Sequence, residues 1–477
     1  MSVFPVDALR QAFLTLPKQP RQSDSEPIEL RYFYAPLSHA KALHPDNMLV
    51  EGVYGAGKSE WCLQLSKLER LGLIATFLPR SELENADCSI GFSQMLSTNY
   101  PSKESIVKLL NNNIDAQTIW NTIIALAVLE QTGHPNNWND KINYYEKYID
   151  DINNSLQCKD DELYALNKKH IVLFDALNYA ADDNKTIKKL LKGLLQAALK
   201  FRSFRAIRLK IFIRPDMLED SSVYSFAGGS KVINNKFSLE WNNLELFNLL
   251  WQYLGNSAEG GKEFRDGCEQ HFNQSWNKHP NSNIWQIPDE MRRNEALQRE
   301  IFHELTGEWM GDTPKSGYPY LWLPNHLEDS HGKVSPCSFL AALHEAAATD
   351  DLIEEQQYPL NYQALRKGVQ KASQMQVRIF NENYRWIEIL LKEKDISFPC
   401  EFSELESFET RSKIEEIINE PGTIPPPSYS AQGFEGIKQD LVDLGIFQLM
   451  HDGRINMPDV YRLGYGLGRK GGVKPVR

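Results

Sequence analysis

Apolar residues along this chain of 477 residues fall into two rhythms. Short unbroken runs, Met48-Leu49-Val50 (leading a strand over 48–51), Leu73 to Leu78, Ile171 to Phe174 and Leu209 to Ile213, have the length and bracketing of buried strands. Between them, residues 58–70 and 184–201 carry apolar positions three and four apart and read as amphipathic helices. Strand and helix in alternation predict an α/β fold on a parallel sheet. Between the second and third of these strands the segments ESIVKLLNNNI, AQTIWNTIIALAVLEQ and KINYYEKYIDDINNSL keep a helical period. Such a length exceeds a simple crossover, so an inserted helical subdomain is expected over about residues 85–165.

The ends read differently. Residues 1–46 are broken by prolines and charges (LPKQPRQSDSEPIELRYFYAPLSH) and suggest an arm leading into a core over 47–255. KFSLEW predicts an edge strand, and the helix after it places Leu244, Phe247, Leu250, Trp251 and Leu254 on one face. The pattern then stays helical through 256–395, a lid or middle region. Over 396–477 a helix (ETRSKIEEIINE), a breaker (GTIPPPSYS), a second helix (GFEGIKQDLVDLG) and two strands around HDG follow one another, the order of a winged helix.

The loop after the first strand carries chemistry. In EGVYGAGKSEW the spacing Gly52, four residues, Gly57, Lys58, Ser59 matches the phosphate-binding Walker A pattern between a strand and a helix. Gly52, Gly55, Ala56, Gly57, Lys58, Ser59 and Glu60 are the candidate nucleotide-binding residues: glycines let backbone N–H groups face phosphates, Lys58 adds a cation, and Ser59 offers a hydroxyl to Mg²⁺. In HIVLFDALN, Asp175 ends a buried strand at the rim where parallel sheets expose their sites, and is the second candidate Mg²⁺ ligand. Arg214, in LKIFIRPDML, ends the next strand at the same rim and is a candidate sensor of a terminal phosphate. Lys58, Asp175 and Arg214 form the candidate catalytic set. With no Asn-Lys-x-Asp element at a strand end, ATP is the expected nucleotide.

On EGVYGAGKS, IVLFDALN followed by ADDNKTIKKLLKGLL, and IFIRPD, residues 47 to 255 resemble P-loop NTPases of the additional-strand, AAA+-related kind, most closely the STAND and KAP-like ATPases. The resemblance implies a nucleotide-dependent switch or assembly platform, a homo-oligomer or an effector protein as partner, and a place in bacterial antiphage defence. Two departures matter. The strand aspartate is followed by Ala176 rather than a second acid, and Cys337, in VSPCSFLAAL, stands where related proteins carry a lid arginine. Slow or partner-gated hydrolysis is therefore expected, with a DNA-stimulated ATPase and a small-molecule kinase as alternatives. Asp183 is read as the N-cap of the helix beginning NKTIKKLL, and Arg366 as a substitute arginine or a solvated helix residue.

Composition narrows the partners. The 52 basic and 63 acidic residues leave a formal charge of -11, which excludes coating of nucleic acid or anionic membrane by the whole surface. The last residues reverse that sign: Arg454, Arg462, Arg469, Lys470, Lys474 and Arg477 face one acid, Asp459, with Tyr461 and Tyr465 available for stacking. This tail is read as docking on an acidic surface of its own chain or of a neighbouring protomer, or alternatively as a nucleic-acid contact. Six scattered cysteines, no apolar stretch of bilayer length and no leader pattern predict a cytoplasmic protein without a membrane partner. His326, His331 and Cys337 lack a zinc spacing, and Ser225 to Ser230 reads as a turn.

Overall fold

The computed structural model describes residues 2–19, 26–129, 137–218, 220–280, 282–349, 357–391, 395–420 and 426–470. Its central element is a five-stranded sheet, β1 (Leu49–Glu51), β2 (Ala86–Phe92), β3 (Lys169–Phe174), β4 (Ile207–Ile213) and β5 (Lys236–Ser238). The spatial order is β2-β3-β4-β1-β5, and every neighbouring pair is parallel. The fold is thus the expected α/β P-loop architecture, with one strand, β4, between the P-loop strand and the strand that ends at Asp175. Strands β3 and β4 are buried on both faces, which explains their continuous apolar runs.

The second strand is not where the apolar pattern put it. Leu73 to Leu78 lies at the end of a helix, Leu68–Phe77, whose buried positions Leu71 and Ile74 are three apart and continue to Leu78. A six-residue apolar run containing Ile and Thr fits either element, and tertiary packing chose helix. The true strand, β2, reads ADCSIGF, poor in strand-forming residues, and it hides in the segment assigned to the insertion. It forms the sheet edge, so only its ends are buried. The helical insertion therefore begins after Phe92. Its helices Lys103–Asn111, Ala116–Leu129, Trp138–Lys147 and Ile149–Ala165 share one core with β3, β4 and the helix Asn184–Phe201. Asp183 caps that last helix by accepting from the Thr186 N–H at 2.8 Å, as read from the sequence.

The N-terminal arm is more ordered than its prolines suggest. Val6–Leu14 is a helix whose Leu9, Ala12 and Phe13 are buried in a core otherwise made by helices from Asn243 to residue 372. Nine residues cannot sustain a helix alone, so packing supplies its stability. Tyr34 joins the same core, whereas Phe33, Ala35, Ala40, Ala42 and Leu43 pack with the helix Lys58–Leu65 on the sheet face opposite the insertion. At the C-terminus, helices Phe408–Ile418 and Phe434–Asp443 precede the antiparallel pair Gln448–Leu449 and Ile455–Asn456, the expected order. Gly468–Arg469 pairs in parallel with Ser397–Phe398 and closes this unit around its own core.

Candidate functional site

The P-loop takes its shape from two glycines in the left-handed region, Gly55 at φ 75° and Gly57 at φ 96°. Gly55 has a second reason: a Cβ there would sit 2.3 Å from Ser335 Oγ, in the neighbouring helical region. Gly57 immediately precedes the helix Lys58–Leu65, whose first residues, with N–H groups that have no partner within the helix, line the cavity. Lys58 Nζ folds back to donate to Gly52 O at 2.7 Å and Val53 O at 2.9 Å. Burial pushes its pKa down to about 8, against the pull of Asp175.

Asp175 is buried at the carboxyl end of β3, and its N–H donates to Phe92 O at 3.0 Å. The Ser59 hydroxyl hydrogen-bonds its carboxylate. Burial raises the Asp175 pKa, while Ser59, Lys58 and the Ala176 N–H favour the anion. Two oxygen donors from different elements therefore meet beside one cation, the pairing that spacing alone predicted. They border a cavity of about 480 Å³ that Gly55, Gly57, Lys58, Glu60 and Arg214 also line.

Not every predicted residue reaches it. Gly52 and Ala56 lie off the cavity wall. The Gly52 N–H is spent on Ile213 O, and Ala56 has its methyl buried and its N–H on Val53 O. The Glu60 carboxylate accepts from the Ile28 N–H and the Gln64 side chain, so it fastens the N-terminal arm. Arg214 reaches the wall but is engaged there. Its Nε and Nη2 donate to the two oxygens of Asp216 at 3.1 and 2.9 Å, and Nη2 lies 3.3 Å from the Tyr384 hydroxyl. Burial works against its charge, yet Asp216 and then Tyr384 outweigh it, and the guanidinium stays protonated.

Cys337 does face the P-loop from the start of the helix Pro336–Ala347, and burial pushes its thiol up to about 11. A neutral thiol thus occupies the place expected for a lid cation. Arg366 does not replace it, because its guanidinium donates to Met310 O and lies over Tyr362, away from the cavity.

The sequence reading missed the other end of the cavity. Phe33 and Tyr34 of the arm, Trp241 after β5 and Tyr253 of the helix Asn243–Asn256 line it beyond the loop. Trp241 Nε1 donates to Ala56 O at 3.0 Å, which ties this aromatic end to the back of the P-loop. Tyr34 donates to the Glu245 carboxylate. The only sequence signal was the aromatic run RYFY inside a proline-rich arm, and nothing in its spacing pointed to residues 241 or 253.

The basic tail is largely consumed within the chain. Arg462 is buried and pairs with Asp459 at 2.7 Å, Arg469 pairs with the same carboxylate at 3.1 Å, and Lys470 lies 3.6 Å from Glu404. Arg454 pairs with Asp452 at 2.7 Å. Tyr461 is buried and presents no face for stacking on a base, and the half-buried Tyr465 donates its hydroxyl to Asn381 at 2.6 Å. Lys474 and Arg477 lie outside the described residues. His326 is 3.3 Å from Asp459 and His331 lies 3.1 Å from Asp443 O. Among the described residues no three His, Cys, Asp or Glu side chains cluster as a metal site would need, and no helix is long and apolar enough to cross a membrane. Residues 225–230 form a turn into the short helix Gly229–Ile233.

No protein-family model and no curated protein matches the chain. Among solved structures it is similar to the Aeropyrum pernix ORC2 protein, determined in ADPNP-ADP complexes, with a TM-score of 0.30 and 13% identity over 95% of this chain and 97% of that one. A likeness of this degree carries no functional argument. The function has to be read from the cavity.

Proposed function

We propose that the chain binds ATP with Mg²⁺ and works as a nucleotide-dependent switch with slow or partner-gated hydrolysis. One observation carries this reading: a single cavity joins a P-loop with its lysine, hydroxyl and carboxylate to an aromatic end. Its volume of about 480 Å³ suits a nucleotide-sized ligand. The phosphates lie over the N–H groups at the start of the helix Lys58–Leu65, with Lys58 exchanging its two carbonyl acceptors for phosphate oxygens. The base lies among Tyr34, Trp241 and Tyr253. Ser59 and Asp175 would hold Mg²⁺, a hard cation suited to such oxygen donors, and when bound it neutralises charge on the phosphates.

Two features of the same cavity support slow turnover. Ala176, at φ 55°, offers Asp175 only its N–H, and Cys337 supplies no charge from the lid. Without a positioned base, water attack loses a factor of about 10² to 10⁴. Nucleotide state then acts mainly on the helical and C-terminal units, and by its resemblance to STAND and KAP-like ATPases the chain would answer to an effector protein or a second copy of itself. Calorimetry with ATP and Mg²⁺ tests the reading. Lys58→Ala should weaken binding roughly 100-fold, the cost of losing a charge-assisted phosphate contact. Unchanged affinity in that variant sinks the proposal. Turnover on the order of 1 s⁻¹ or more by the isolated chain, lost on Asp175→Ala, sinks the slow-hydrolysis half.

A further inference from the structure

Arg214 sits in a partition. Together with Tyr54 it borders the P-loop cavity on one side and a second void of about 450 Å³ on the other. That second void separates the sheet rim from the C-terminal unit, with Asp216 and Tyr384 near Arg214 and Leu444 and Tyr461 across from them. Tyr384 belongs to neither the sheet nor its loops. It ends the long helix Tyr362–Asn383, and its hydroxyl donates to Asp216 at 2.5 Å, the carboxylate that grips Arg214.

The long helix is fastened at its other contacts. Gly368 lies so close to the helix Pro336–Ala347 that a Cβ would meet Ala342 O at 2.1 Å. Further along, Gly464 of the C-terminal helix Asp459–Gly464 packs on Ser373 and Val377, Phe380 meets the Tyr461 ring at 5.7 Å, and Asn381 accepts from Tyr465. Movement at Tyr384 is therefore movement of the C-terminal unit. The helix also brings Glu382 to the wall of the P-loop cavity, a carboxylate that a polyphosphate would repel. A void on the far side leaves room for displacement that a close-packed interface would resist.

We propose that Asp216 and Tyr384 are positioning residues that compete with the terminal phosphate of a bound nucleoside triphosphate for Arg214. The inference rests on the nucleotide-binding reading above. With diphosphate or no ligand, Arg214 stays on Asp216 and Tyr384, and the long helix is held to the sheet rim. A triphosphate draws the guanidinium away, the hydrogen bond from Arg214 Nη2 to the Tyr384 hydroxyl is lost, and the long helix keeps one tie to the sheet rim where it had two. Coupling of this kind is reciprocal: weakening the Tyr384 contact must favour triphosphate over diphosphate.

The test compares ATP and ADP affinity of the full chain and its Tyr384→Phe variant, with hydrogen exchange over residues 377–391 and 459–465. Losing one hydrogen bond to a charged group should raise the ratio of ATP to ADP affinity about 5-fold or more, through ATP alone. Exchange in both segments should rise on adding ATP to the wild type and start high in the variant. Arg214→Ala should abolish both the ratio change and the ATP-dependent exchange. If the wild type binds ATP while Tyr384→Phe alters neither the ratio nor the exchange, the competition is refuted and the nucleotide reading stands. If the wild type binds neither nucleotide, both fall together.

Discussion

Each rim of the central sheet holds a lysine whose pKa is lowered, and the two have opposite meanings. At the carboxyl rim Lys58 donates to two carbonyls of its own loop and faces a cavity that also holds Asp175. At the amino rim Lys210, in β4, donates to Ala42 O, His44 O and Asn47 O at 2.9, 2.7 and 2.5 Å. Burial lowers both, to about 8 and about 7. Lys210 has no accessible surface, and all three of its N–H groups are used to pin the arm to the sheet. Lys58 keeps one donor beyond its two carbonyls and open space in front of it. A perturbed lysine thus marks a site only where a cavity gives the charge somewhere to act.

That contrast breaks most decisively at Lys210. Lys210→Met would leave Ala42 O and Asn47 O without that donor, while His44 O keeps the Asn47 N–H, and at about 1–3 kcal/mol for each unsatisfied group the loss should be about 2 kcal/mol or more. Denaturant unfolding should show it, while ATP affinity well below the melting range stays within about 2-fold of wild type. A variant that folds normally but loses nucleotide would make the two rims alike. Lys58→Ala should do the reverse, losing affinity with little change in the unfolding midpoint.

Protonation sharpens the same comparison more gently. In the free chain Lys58 is half-ionised near pH 8, and bound phosphates favour its ammonium form, raising its pKa. Binding should therefore take up about half a proton at pH 8 and almost none near pH 6, with affinity falling as pH rises through 8. Calorimetry in two buffers of different ionisation heat reads this directly. Proton release at pH 8 would contradict the sign, and uptake should persist in full in Lys210→Met.

The smallest effect belongs to the aromatic end. Trp241→Phe keeps a ring on the cavity wall but deletes the hydrogen bond to Ala56 O, so ATP affinity should fall by about 3- to 10-fold, the value of one neutral hydrogen bond. Equal weakening of inorganic triphosphate would place the effect in the loop. A loss confined to ATP would place it at the base.

Legibility in the sequence followed distance along the chain. The residues that shape the phosphate end, Gly55 to Ser59, are contiguous, and their spacing follows from a strand, a turn that only glycine tolerates and a helix start. Asp175 was readable because a strand buried on both faces must be apolar until it reaches the rim. β2 was not, because an edge strand needs little apolar surface and ADCSIGF carries little. The tail was legible only in its sign: counting charges along residues 454–477 could not show that Asp459 serves Arg462 and Arg469 at once.

Local pattern by itself determined the parallel α/β sheet, the P-loop, its partner aspartate and the cap at Asp183, since each depends on backbone geometry within a few residues. Only the tertiary structure decided which aromatic rings close the cavity, that Cys337 faces the P-loop, and that Arg214 is shared with Tyr384, 170 residues away. Contacts between distant segments are set by how helices and loops pack over the sheet, and no spacing in the chain encodes that packing in a form that can be read directly.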